Sequence, residues 1–314
     1  MKKLSFVLLA LLTCPSYATV YDLDVAMDNV RTACSGINSK MDHLKLMAGI
    51  NTGIGAVGTV TGAVALGTGI AKDEVDQDYE KLRAKVAKLI ADDKNPEVHI
   101  LADEKKFNKQ IEDFLKGSSD KIKDTKTDSK KLKELEQESK TLGNVRTGML
   151  AVNTATSVAG AVISSQNKAN GSIKEAIDKC VSATDDLRES MMQARMDGRD
   201  TVTAKRIVDA CSEYKTADLS KINKLATGST VTSSIGAVAG GIGTITSIAA
   251  NTDSTRNDNS KDGKAKEKNL NTASNVLSGV TTATSAVSTV LNGVQIATIK
   301  KVVSISEKCE KELQ

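Results

Sequence analysis

Four stretches without a charged residue constrain this chain more than any other feature. The first, Leu46–Ala71, runs for 26 residues and holds seven glycines. A near copy of its middle lies at Ile235–Ala250, and two further uncharged runs occupy Thr147–Asn167 and Asn269–Ile299. With only two prolines and 2% aromatic residues in 314, long helices are the natural product of such a composition.

Apolar residues in and around these runs recur at alternating three- and four-residue spacing, the seam of helices that pack on one another. In the first run they are Met47, Ile50, Ile54, Val57 and Val64. A second helix shows Leu132, Leu135, Leu142, Val145, Met149, Val152, Ala159 and Ile163. A third carries Gly228, Val231, Ile235, Val238, Ile242, Ile245 and Ala249. The last has Ala273, Val276, Val280, Ala283, Val287, Val290, Val294 and Ala297. The pattern predicts that these faces point inward. Asp22 or Asp24 can cap the first helix, Asn170-Gly171 weakens the second, and Asp200, after a turn at 197–200, can cap the third. A polar loop is expected over 251–269.

The two halves look like a duplication. Ala33-Cys34-Ser35 matches Ala210-Cys211-Ser212, Ile54-Gly55-Ala56-Val57 matches Ile235-Gly236-Ala237-Val238, and Thr154-Ala155-Thr156-Ser157 matches Thr282-Ala283-Thr284-Ser285. The expected fold is all-α: two related long helical hairpins forming an elongated up-down-up-down four-helix bundle or coiled coil, with an extra short helix at the tip of the first. Its divisions are a signal peptide at 1–18, a first hairpin at 19–197 with an extended charged coiled-coil tip at 72–145, and a second hairpin at 198–314.

The N-terminus reads as a secretory leader. Met1-Lys2-Lys3 is basic, Leu4–Leu12 is apolar but too short to span a membrane, and Ser16-Tyr17-Ala18 is a small-x-Ala cleavage site. Cys14 offers a lipoprotein alternative, against which Thr13 stands just before it. Export leaves four cysteines, Cys34, Cys180, Cys211 and Cys309, an even count that favours disulfides in an oxidising compartment. In an antiparallel hairpin, residues at one height are equidistant from the tip. The midpoint of Cys34 and Cys180 falls in the first tip and that of Cys211 and Cys309 in the loop over 251–269, so these two pairings are expected. Cys180 and Cys211 differ in height by roughly 9 Å of helix rise, too far for a disulfide without distortion.

Each helix-interior glycine costs about 1 kcal/mol relative to alanine, and close helix packing is the return. Gly49, Gly53, Gly58, Gly62, Gly236 and Gly240 are the candidate contact positions, on small-x-x-x-small ridges that membrane helices favour. The uncharged runs reach the roughly 20 residues a bilayer requires. Against membrane insertion stand the many Thr, Ser and Asn residues within the runs and the absence of aromatic belts at their ends.

The remaining signals exclude more than they assign. A net charge of +4, with no one-sided basic patch, argues against nucleic-acid binding. His43 and His99 are the only histidines and no Cys-x-x-Cys occurs, so the sequence offers no metal, cofactor or catalytic set. Asp258-x-Ser260-x-Asp262-Gly263 resembles half a calcium loop, but Asn269 stands where a bidentate glutamate belongs. The segment 72–140 alternates charge like a solvated coiled coil. Asn95-Pro96-Glu97 begins a short helix that Gly117 ends, and its Phe107, Ile111 and Phe114 either close a small tip core or form a partner-binding tip. The expected protein is exported, periplasmic or secreted, and non-enzymatic, with a structural or interaction role toward an unknown protein partner or itself. The alternative is a membrane-inserting or pore-forming protein that uses the glycine-rich hairpins.

Overall fold

The computed structural model describes residues 22–94, 104–116, 122–256, 258 and 260–314. The leader, the Asn95-Pro96-Glu97 helix start and Gly117 lie outside them. The described residues are almost wholly helical, with no β-strand among them.

Helix α1 (Leu23–Cys34) starts at Asp22, whose carboxylate accepts from the Asp24 N–H at 3.1 Å. Gly36, at φ 75°, turns the chain into α2 (Ile37–Lys94), a break that the apolar spacing alone does not foretell. The tip helix α3 (Glu104–Leu115) leads to α4 (Ile122–Gln166). The weak point at Asn170-Gly171 is a full interruption: the Asn170 side chain accepts from Ile173 N at 3.1 Å and caps α5 (Gly171–Met196).

The turn at 197–200 holds Gly198 at φ 73°. Past it, the expected single helix is divided into α6 (Val202–Cys211), a 3-10 turn (Ser212–Thr216) and α7 (Leu219–Asn251). Asp200 accepts from Val202 N at 3.0 Å, although the residue at the helix boundary is Thr201. The expected loop over 251–269 is shorter than the sequence pattern implies. It contains α8 (Asp253–Arg256), and α9 (Lys261–Leu313) is already helical well before Asn269. Ser260 caps α9, accepting from Gly263 N at 3.0 Å, and Asp258 accepts from Ser260 N at 3.1 Å. The calcium-like motif is thus a helix start.

The chain forms two compact units that cut across the two hairpins. Among the described residues, one comprises 22–42, 170–218 and 300–314, and the other those within 43–169 and 219–299. In the first unit, α1, α5 and α6 pack around a conventional apolar core of Leu23, Val30, Ile37, Ile177, Leu187, Ile207 and Val302. Both disulfides lie here, Cys34–Cys180 and Cys211–Cys309, each with Cα atoms 4.7 Å apart. The pairing is the expected one, yet height does little to enforce it: the sulfurs of Cys34, Cys211 and Cys309 all lie within 4.8 Å of one another.

The second unit is an antiparallel helical bundle whose interior reverses the expected polarity. Its buried seam on α2 is Leu44, Ala48, Asn51, Gly58, Gly62, Ala65, Gly69 and Lys72. On α4 it is Ser139, Gly143, Arg146, Leu150, Asn153, Ser157, Gly160 and Ser164, with Asn167 just past its end. On α7 it includes Ser229, Ser233, Gly236, Gly240 and Ser247, and on α9 Asn271, Ser274, Ser278, Thr281, Ser285, Ser288, Asn292 and Gln295. The three-four spacing is as expected. The face that it buries is the small, polar one. The correction has a steric cause: glycine, alanine and serine let backbones approach closely, whereas a seam of valine and isoleucine would hold these helices apart.

Candidate functional site

The side chains expected to line the seam stand on the outside of the second unit. Ile50, Val57 and Val64 on α2, Val145 and Val152 on α4, Val231, Ile235, Val238, Ile242 and Ile245 on α7, and Val276, Val280, Val287, Val290 and Val294 on α9 are all exposed. Val238, Ile245 and Val290 keep 64%, 67% and 65% of their surface. Isolated exposed aliphatics are ordinary. Here they form a continuous apolar band, and that is unusual for a surface in water.

Contacts within the bundle show why the glycines are needed. A Cβ on Gly62 would meet Asn153 Nδ2 and Thr282 Oγ1 at 2.5 Å, and one on Gly240 would meet Thr154 Oγ1 at 2.6 Å. Gly58 lies against Thr156 of its own hairpin and Ser285 of the other, while Gly236 lies against Thr284 of its own and Ser157 of the other. Since Thr156-Ser157 and Thr284-Ser285 are matching repeat positions, Gly58 and Gly236 occupy equivalent places. The structural register therefore pairs Gly236 with Gly58, three residues along from the Gly55 that the sequence match selects. Gly49 and Gly53 differ from the other candidates, because nothing lies within 4 Å of a Cβ at either. They face outward and are not packing positions within this bundle.

Inside, the polar groups meet in layers. Asn51 Nδ2 donates to Ser164 Oγ at 2.5 Å; Ser164 and Ser229 hydroxyls lie 2.8 Å apart, as do Ser229 and Ser288. That layer takes one side chain from each of α2, α4, α7 and α9. A cavity of about 10 Å3 adjoins it, lined in part by Asn51, Thr156, Ser157, Ser233 and Ser285, room for one water at most. Leu150 is completely buried further along the axis, beside Gly243.

At the edge of the band and past it, α2, α4 and α9 are joined by buried charges. Lys72 is fully buried, 2.5 Å from Asp76 and 3.5 Å from Glu267, and Ser139 donates to Asp76 at 2.5 Å. Arg146, also fully buried, donates to the Asn271 carbonyl at 2.9 Å, and Asn275 donates to Asp73 at 2.7 Å. Burial pushes the Asp73 and Glu267 carboxyls up, opposed by Arg146 and Lys72 at Asp73 and by Lys72 at Glu267. An open cleft of about 530 Å3 beside these groups is lined by both signs of charge, including Asp76, Glu80, Lys264 and Glu267. Lys264 and Glu80 pair directly across it.

At the tip, Phe107, Ile111 and Phe114 are buried with Val86, Ala87, Ile90 and Leu132, and Tyr79, Leu82 and Leu115 pack around them. Arg83 lies over the Phe107 ring, 4.7 Å from its centroid. These side chains form a core.

No known protein family matches the chain, and neither a curated protein nor a solved structure shows detectable similarity to it.

Proposed function

We propose that this is an exported, non-enzymatic helical-bundle protein of the cell envelope with a structural or interaction role. Its working surface is the outer face of the second unit. The observation that carries this reading is the apolar band itself: glycine-tight packing places polar groups inside and large aliphatic side chains where a partner can cover them. The disulfide pair in the first unit suits an oxidising, extracytoplasmic compartment.

Site-directed photocrosslinking in the native host tests this reading. A photoreactive side chain at Val238 or Val290 is expected to give adducts, whereas the same group at the exposed Lys81 of the charged tip is expected to give none. Adduct-free Val238 and Val290 would remove the band as a working surface. The membrane-inserting alternative is favoured by the arrangement of the band on its four helices.

A further inference from the structure

We infer that the surface covering the band is lipid hydrocarbon, and that α2, α4, α7 and α9 cross a bilayer together. The inference rests on the proposed role of the band as a contact surface and names its partner. Four independent features of the second unit lead to it.

The first is where the reversal is confined. Among the described residues, 25 large hydrophobic residues have exposed side chains, and 21 of these belong to the second unit, all within 46–70, 145–162, 231–248 and 276–294. The same unit is conventionally ordered beyond the band, with Phe107, Phe114, Ile90 and Leu132 inside the tip. The first unit also keeps its aliphatic core inside. A chain that buries apolar groups normally in two places and reverses them in one has met a different solvent there.

The second is the height and alignment of the band. Leu46 to Ile70 covers about 36 Å of helix rise, and Val145 to Val162, Val231 to Ile248 and Val276 to Val294 about 26–27 Å each. The hydrocarbon core of a bilayer is about 30 Å thick. One edge of the band is level across the bundle: Gly69 abuts Asn275 and Gly143 abuts Asn251, next to Ile70, Val276, Val145 and Ile248. A soluble partner has no reason to require heights near that thickness on four helices.

The third is the fate of the polar side chains, which removes the sequence objection to insertion. The asparagines and glutamines of the four runs are buried or half-buried, apart from Gln166 and Asn269 at run ends. Hydroxyls nearer the surface return to their own helix. Thr61 donates to the Val57 carbonyl at 2.9 Å, Thr68 to Val64 at 2.9 Å, Ser234 to Thr230 at 2.8 Å and Thr284 to Val280 at 3.0 Å. A hydroxyl held this way brings little unsatisfied polarity into lipid.

The fourth is the charge at the run ends. Going outward from the uncharged runs, the first charged residues at one end are Lys45, Lys168, Lys224 and Lys300. In an up-down-up-down order these four lysines belong to the same end, where long cationic side chains reach headgroup phosphates.

The chain has no tryptophan, so one placed in the band reports on its surroundings without background. Val238→Trp, Val290→Trp and, as a control in the tip, Lys81→Trp are prepared in the mature chain. Non-reducing mass spectrometry selects material with both disulfides formed. Each is reconstituted with phosphatidylcholine–phosphatidylglycerol vesicles, with and without bromine on the acyl chains, and floated on a density gradient. Val238→Trp and Val290→Trp are expected to float with the vesicles and lose emission to the brominated chains, while Lys81→Trp floats without that loss. Protein that stays in the aqueous fraction, or band tryptophans that bromine leaves unquenched, would overturn the inference. Sedimentation of that aqueous material separates the two levels of the argument. Dimers or larger species would mean that a second copy covers the band, leaving its contact role intact; a monomer would remove both.

Discussion

Single side chains decide which surfaces of these helices touch. The glycines of α2 fall into two classes that look alike in sequence. At Gly62 an added methyl group would also lie 3.1 Å from the Thr282 Cα, so backbone must move. Gly62→Ala is therefore expected to destabilise by roughly 1–3 kcal/mol. Gly49→Ala and Gly53→Ala, with open space around them, are expected to gain up to about 1 kcal/mol each from helix propensity. Chemical denaturation in detergent solution measures both, and equal effects at the two classes would contradict the assigned register. The small-residue spacing was legible in the sequence, but which phase of it faced inward was not, because glycine carries no side chain to mark a face.

The buried charges beyond the band make a second kind of statement. Burial raises the Glu267 carboxyl, Lys72 opposes this and Asp76 adds to it; burial likewise raises Asp73. A carboxyl with a higher pKa folded than unfolded holds more protons in the folded state. Its contribution therefore favours folding as pH falls through the raised value toward the ordinary carboxylate range, and is lost as pH rises above it. Glu267→Gln is expected to flatten that dependence. Denaturation midpoints of the two proteins across mildly acidic to neutral pH test the sign, and parallel curves would refute it.

The helices and their staples carry consequences of a different size. Phe107 and Phe114 fill the contact of α3 with α2 and α4. Phe107→Ala is expected to cost about 3–5 kcal/mol, a loss confined to the tip: hydrogen exchange should speed in α3 and leave α7 protected. Uniform loss of protection would contradict that locality. Replacing Cys211 and Cys309 together by serine is expected to remove about 2–5 kcal/mol. Cys180→Ser alone has a more specific outcome. It frees Cys34 beside Cys211 and Cys309, all within 4.8 Å, so mixed Cys34–Cys211 and Cys34–Cys309 linkages should appear in non-reducing mass spectra. An unmixed Cys211–Cys309 bond would refute exchange at this cluster. The disulfide partners were legible from spacing about each tip. The interruptions at Gly36 and at 212–218 were not, since helical spacing resumes on either side of each.

For the whole molecule, the sequence pattern announced four long helices and their order but inverted their faces. Valine and isoleucine at three-four spacing predict an inward seam only if water lies outside. The equally regular register of Asn51, Gly58 and Gly62, or of Ser229, Ser233, Gly236 and Gly240, is the one that packs inward when the outer solvent is apolar. Periodicity alone cannot distinguish these cases, because it reports that two faces differ and not which one is buried. On the proposed reading, the conventional core of the first unit and the reversed band of the second meet two solvents along one chain. Fractionation of native cells, with an alkaline carbonate wash of the membranes and non-reducing mass spectrometry of each fraction, tests this implication. We expect wash-resistant membrane material carrying Cys34–Cys180 and Cys211–Cys309. The same disulfide-bonded protein recovered entirely in the soluble fraction would contradict a bilayer-spanning band.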